Sequence, residues 1–69
     1  MEEKVAKYGD TIQWDMSSSD HDWCMEYYGK TVFTANVAMV DLKNKDYGVY
    51  AEYGQDLIPF SQATIIKET

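Results

Sequence analysis

Apolar and polar residues alternate along several short segments of the chain, which is the pattern of half-buried β-strands. In residues 11–16, the side chains of Ile12, Trp14 and Met16 fall on one face and polar side chains on the other. Residues 31–40 form a longer run, rich in β-branched residues and free of glycine and proline. Three more strand-like segments follow at residues 47–53, 57–60 and 64–67.

Turn-forming residues separate these segments, at residues 17–22, 41–46, 54–56 and 61–63. Pro59 removes a backbone donor and therefore suits an edge strand or a strand end. Closing so few strands on themselves hides their edges. The pattern therefore predicts a mainly β fold, a small barrel of five to six strands in one domain over residues 1–69, with residues 1–7 loosely attached.

Residues 20–28 fit two structures. Trp23, Met25 and Tyr27 alternate with the residues between them, which favours a strand, and the tryptophan and tyrosines are mediocre helix formers. Against this, Ser19 and Asp22 have the spacing of a helix-capping pair, and a glycine follows at position 29. The strand is the favoured interpretation and a short helix the alternative.

The predicted core consists of apolar side chains from several strands: Ile12, Trp14, Phe33, Val37, Leu57, Phe60 and Ile65. The chain holds two Trp, six Tyr and two Phe residues, more aromatic rings than one small core needs. Each buried tyrosine hydroxyl requires a partner. Some of these rings are therefore expected at the surface, with packing of a thin barrel or of a dimer interface as the alternative.

Charge narrows the range of partners. The net charge is −6, from twelve carboxylate and six lysine side chains, and arginine is absent. Such a chain repels phosphate backbones and lacks the guanidinium groups that recognise phosphate and guanine. Nucleic acid is thus a disfavoured partner. No lysine lies between Lys7 and Lys30, a stretch that contains five carboxylates.

Other bulk features bear on location. The charged start of the chain does not resemble a secretory signal, and no apolar run has the length of about 20 residues that a membrane span needs. Cys24 has no second cysteine to pair with, which suits a reducing compartment. We expect a cytoplasmic protein without membrane association.

The order of the elements resembles that of Src-homology-3 (SH3-like) barrels. An aromatic strand at residues 46–53, a glycine turn, an apolar pair, Pro59, a short turn and a last strand follow the scheme of that family. The acidic segment 15–26 is similar to its RT loop. Tyr47 and Gly48 stand where the family has paired tryptophans, so the resemblance implies the fold and does not extend to polyproline binding. Tudor-like and Sm-like barrels fit the same order.

Three short patterns bear on chemistry. Gly29-Lys30-Thr31 matches the end of a phosphate-binding loop, but Cys24 stands where that loop requires its first glycine. Asp20, His21, Asp22 and Cys24 are potential metal ligands, although structural zinc sites use two separated ligand pairs. His21 and Cys24 could form a base and a nucleophile, yet no third group orients them. We expect no catalytic residues, no metal and no cofactor.

The favoured function is a protein-binding module, or an inhibitor that mimics a nucleic acid as many virus-encoded inhibitors do. An acidic loop would steer a basic partner and aromatic rings would anchor it. The candidate binding residues are Asp15, Asp20, Asp22, Trp23, Glu26, Tyr28, Tyr47, Tyr50 and Pro59. One alternative is a nucleotide-like ligand bound by a homo-oligomer. The other is a structural or assembly subunit.

Overall fold

The computed structural model describes residues 4–69, which form five strands and one short helix. In chain order these are β1 (Thr11–Asp15), a 3-10 turn (Ser18–Asp20) that runs into helix α1 (His21–Tyr28), β2 (Val32–Asp41), β3 (Asp46–Ala51), β4 (Gly54–Pro59) and β5 (Thr64–Lys67). The predicted mainly β fold is confirmed.

The strands form one antiparallel sheet in the order β4-β3-β2-β1-β5. The long strand β2 serves both halves of the sheet, since Val32–Asn36 pair with β1 and Val37–Asp41 pair with β3. A shift in register between Val37 and Met39 lies near the point where the partner changes. Within residues 4–69 no pairing joins β4 to β5, so the sheet is open there and closure into a barrel is not confirmed.

The core lies on the inner face of this sheet. Ile12, Trp14, Phe33 and Val37 are buried as predicted. The prediction for Leu57 is wrong, because neighbouring strand residues point to opposite faces and it is Ile58 that faces inward, opposite Tyr47. The other two predicted core residues, Phe60 and Ile65, are half-buried at the margin.

Residues 21–28 form a helix, and the favoured strand interpretation is wrong. Gly29 ends the helix in the left-handed conformation (φ 70°), and its N–H donates to the carbonyl of Met25 over 3.1 Å. This is the role that glycine takes most easily at a helix end. Asp20 takes the cap position at the start, so the predicted Ser19 and Asp22 pair does not form the cap. Alternating apolar residues were therefore less informative here than the glycine.

Two boundaries also differ from the prediction. The tight turn joining β3 to β4 lies at Glu52 and Tyr53, two residues before the predicted position, and Gly54 already begins the return strand. The start of the chain is partly attached, because Ala6 is buried and its N–H donates to the Tyr47 hydroxyl over 2.8 Å. Residues 1–3 lie outside the described residues.

A buried carboxylate joins the two ends of the described chain. Asp10 accepts hydrogen bonds from the N–H of Lys7 (2.9 Å) and from both the N–H (3.0 Å) and hydroxyl (3.1 Å) of Thr69. These donors hold the pKa of Asp10 below its ordinary value, the N–H of Lys7 contributing most. The backbone of Asp10 also pairs with Val37 of β2. This residue therefore fixes the segment before β1 to the sheet.

Within the described part of the chain, no helix is long and apolar enough to cross a membrane.

Candidate functional site

Three side chains of helix α1 pack against the hydrophobic core. Cys24 and Tyr28, four residues apart, lie on one side of the helix; Cys24 is buried, and Tyr28 is half-buried with Trp23. The ring of Trp23 meets Tyr28 edge-on at 6.2 Å and Tyr53 at 5.7 Å between centroids. The helix is therefore held by aromatic contacts rather than by its own intrinsic stability.

The aromatic cluster under α1 extends into the core. Phe33 lies 5.7 Å from Tyr28 and 5.1 Å from Tyr53, both edge-on, and it stacks on Trp14 at 6.5 Å. Lys30 lies over the ring of Phe33 at 5.3 Å and forms an ion pair with Glu52. Trp23 and Tyr28, two of the predicted binding residues, thus bury much of their surface within the molecule.

A hydrogen-bonded chain fixes the hairpin tip beside this cluster. The indole N–H of Trp14 donates to the Tyr53 hydroxyl over 3.2 Å, and that hydroxyl donates to the carboxylate of Asp56. Burial raises the pKa of Tyr53, and the bond to Asp56 raises it further. Tyr53 therefore remains a neutral donor.

The residues at the start of the helix are occupied by local contacts. The carboxylate of Asp20 accepts hydrogen bonds from the Trp23 indole (3.0 Å) and the Ser17 hydroxyl (2.9 Å), which in that order lower the pKa of Asp20. His21 donates through Nε2 to the carbonyl of Met16 over 2.7 Å, and the same nitrogen lies 3.5 Å from the Asp15 carboxylate. These contacts fasten the helix to the end of β1.

The outward side of α1 is acidic with two large exposed side chains. Asp22, Met25 and Glu26 have the spacing that places residues on one side of a helix. Tyr27 follows Glu26 and is exposed on the flank opposite Met25. Met25 is 55% exposed and Tyr27 72% exposed. We call these four residues the acidic helix surface. Among residues 4–69, no salt bridge involves Asp22 or Glu26.

The other predicted binding residues lie elsewhere. Tyr47 is only 2% exposed, with its ring 4.5 Å from that of Phe60, so it belongs to the core and is removed from the candidate surface. Tyr50 is exposed on the outer face of β3, and Pro59 is exposed at the end of β4. The structure therefore brings together only the predicted residues of segment 15–28.

The side chains considered above as a nucleophile and as metal ligands lack the environment that either chemistry needs. Cys24 is fully buried, and this burial, with a smaller effect of the Asp20 charge, raises the pKa of the thiol. A reactive cysteine needs the opposite, a lowered pKa and access to solvent. Residues 4–69 contain no group of three or more His, Cys, Asp and Glu side chains placed to hold a metal ion.

Sequence reasoning missed Met25 and Tyr27. Interpreting residues 23–28 as a strand placed both on the same face as Trp23, which packs inward. The signal that could have found them is Gly29, because a helix ending there puts Met25 three residues after Asp22 and next to Glu26.

In comparisons with known proteins, the chain matches no family model, no curated protein and no solved structure.

Proposed function

We propose that the protein is a non-enzymatic binding module that engages a basic partner protein through the acidic helix surface. The supporting observation is that two unpaired carboxylates and two exposed large side chains lie on the same short helix. Asp22 and Glu26 have no lysine partner among the described residues, and the side chains of Met25 and Tyr27 are exposed. The inhibitor form and a cytoplasmic location are parts of the same proposal.

Asp22 and Glu26 are four residues apart on the helix, where like charges destabilise it by about 0.2–0.5 kcal/mol. A cationic partner removes this repulsion. With a net charge of −6 on the whole chain, the surrounding field attracts such a partner and raises the rate of association, an effect that salt screens. The proposal therefore requires binding that weakens as ionic strength rises.

The two exposed side chains supply the apolar part of the contact. Interfaces are enriched in tyrosine and methionine relative to the rest of a protein surface, and a tyrosine at the centre of an interface contributes about 1 kcal/mol or more. Tyr27 stands at the end of a helix held by the aromatic cluster, so little conformational order has to be gained on binding. Tyr27 is the expected anchor, and Met25, on the other flank of the two carboxylates, is an adaptable second contact.

The experiment is capture of partners from cell lysate at low salt with the immobilised native protein and two variants of equal net charge. The test variant is Asp22→Asn with Glu26→Gln. The matched control is Glu52→Gln with Glu68→Gln, which removes the same two charges from exposed ion pairs with Lys30 and Lys4. Loss of such exposed pairs alters stability by about 0–1 kcal/mol each, so both variants are expected to remain folded.

A partner retained by the native protein and the control but lost with the test variant supports the acidic helix surface. A partner retained equally by all three contradicts it. If nothing specific is captured, the small-ligand and assembly alternatives take its place, and native mass spectrometry distinguishes them.

A further inference from the structure

Strand β4 lies at one end of the sheet and leaves an open edge. Within residues 4–69 it pairs only with β3, and no strand covers its other side. Such an edge exposes a row of backbone N–H and C=O groups, which can pair with the same edge of a second copy. The outer face favours this pairing, because Leu57 is 57% exposed there and lies in register with Met39 of β2 across Gly48.

The hydrogen bonds between β3 and β4 identify the backbone groups at the open edge. The N–H of Phe60 donates to the carbonyl of Lys45 over 2.8 Å. Along an antiparallel strand, every second residue bonds to the same partner strand, so alternate residues counted back from Phe60 face β3. The backbone groups that point to the open edge are therefore those of Gln55, Leu57 and Pro59.

Two of these residues are closed to a new strand. The N–H of Leu57 donates to the carboxylate of Asp56 over 2.8 Å. Pro59 has no N–H, and its carbonyl accepts the N–H groups of Gln62 (3.0 Å) and Ala63 (3.2 Å) in the turn that follows. Both Leu57 and Pro59 are thus lost as donors to a new strand.

The Asp56 carboxylate is fixed in place by a second bond. Asp56 is opposite buried Val49 of β3, so its side chain lies on the inner face, where its other oxygen accepts the Tyr53 hydroxyl. That hydroxyl in turn accepts the indole N–H of Trp14. The core therefore holds the carboxylate on the Leu57 N–H.

We infer that Asp56 and Pro59 prevent β4 from pairing with the β4 edge of a second copy. In an antiparallel pair with a two-fold axis at Leu57, the two Leu57 residues would exchange N–H···O=C bonds, and Gln55 of each copy would pair with Pro59 of the other. The Asp56 carboxylate blocks the first exchange, and the second lacks a donor at Pro59. This contact acts within one molecule and does not depend on the acidic helix surface.

The test is amide hydrogen exchange followed by NMR at several protein concentrations, with the native protein and with Asp56→Ala combined with Pro59→Val. In the native protein, we expect the Leu57 amide to exchange about fivefold more slowly than the Gln55 amide, relative to their intrinsic rates, at every concentration. In the variant, the Leu57 amide should lose this protection when dilute and regain it as concentration rises, because copies pair through β4. Sedimentation should show a dimer over the same range.

Glu52→Gln is the matched control, since it removes one exposed carboxylate from the same hairpin and leaves both blocking residues in place. Its net charge equals that of the variant, and it should behave as the native protein does. Protection of Leu57 that rises with concentration in the native protein overturns the proposal, and so does its absence in the folded variant. If the variant does not fold, the native comparison decides, and equal exchange of the Leu57 and Gln55 amides overturns the proposal.

Discussion

Replacing Tyr47 by phenylalanine tests whether this tyrosine stabilises the fold rather than contacting a partner. The Tyr47 hydroxyl accepts the buried N–H of Ala6 over 2.8 Å, and its ring packs against Phe60. Phenylalanine keeps the ring and its burial but leaves the Ala6 N–H without a partner. The cost of an unsatisfied buried donor is about 1–3 kcal/mol.

This loss is large for so small a chain. Stabilities of about 0.05–0.15 kcal/mol per residue are usual, so Tyr47→Phe removes a substantial fraction of the free energy of unfolding. In a domain of this size each kcal/mol lowers the Tm by about 4–8 °C. The free energy of unfolding is measured by urea titration followed by tryptophan fluorescence, since Trp14 is buried in the core and changes environment on unfolding.

The matched control is Tyr50→Phe, which removes the same hydroxyl from an exposed ring. It should change the free energy of unfolding by less than about 0.5 kcal/mol. If the Tyr47 and Tyr50 variants lose equal stability, Tyr47 does not tie the start of the chain to β3. The folded Tyr47 variant should also bind any partner of the acidic helix surface as the native protein does.

Two titratable groups give further predictions. The pKa of Asp10 is lowered by the N–H groups of Lys7 and Thr69, so its stabilisation is present above its ordinary value of 3.8 and lost as pH falls below it. Asp10→Asn should therefore flatten the loss of stability in that acidic range, measured by urea unfolding at several pH values, and an unchanged slope would argue against the buried bonds. Burial raises the pKa of Cys24, so its reaction with a thiol reagent should be slow in the native protein and fast in urea. Rapid native labelling would show that α1 opens readily.

Alternation predicted the strands well because each has one buried and one solvated face. Ile12 and Trp14 on β1 and Phe33 and Val37 on β2 follow this rule and were placed in the core correctly. Alternation gave the wrong result for Leu57. Leu57 and Ile58 are both apolar, so the pattern does not say which of the two points inward. Only the pairing of Ile58 with Tyr47 settles that choice, and pairing is a property of the folded sheet.

The helix was less predictable because its stability comes from tertiary contacts. Trp23 and Tyr28 are mediocre helix formers, yet their rings pack edge-on against Tyr53, a residue 25 or more positions later in the chain. The intrinsic helix propensity of residues 21–28 does not reflect that long-range contact. The charge of the segment was visible in the sequence, whereas the exposure of Met25 and Tyr27 depended on the helix.

The most direct test of the acidic helix surface compares two tyrosines of similar exposure. Tyr27 is 72% exposed on α1, and Tyr8 is 77% exposed before β1. For a partner captured by the native protein, the Kd is measured by titration calorimetry with Tyr27→Ser and with Tyr8→Ser. The account predicts binding about tenfold weaker for Tyr27→Ser and an unchanged Kd for Tyr8→Ser. Equal affinity of the two variants, or a larger loss with Tyr8→Ser, would contradict it.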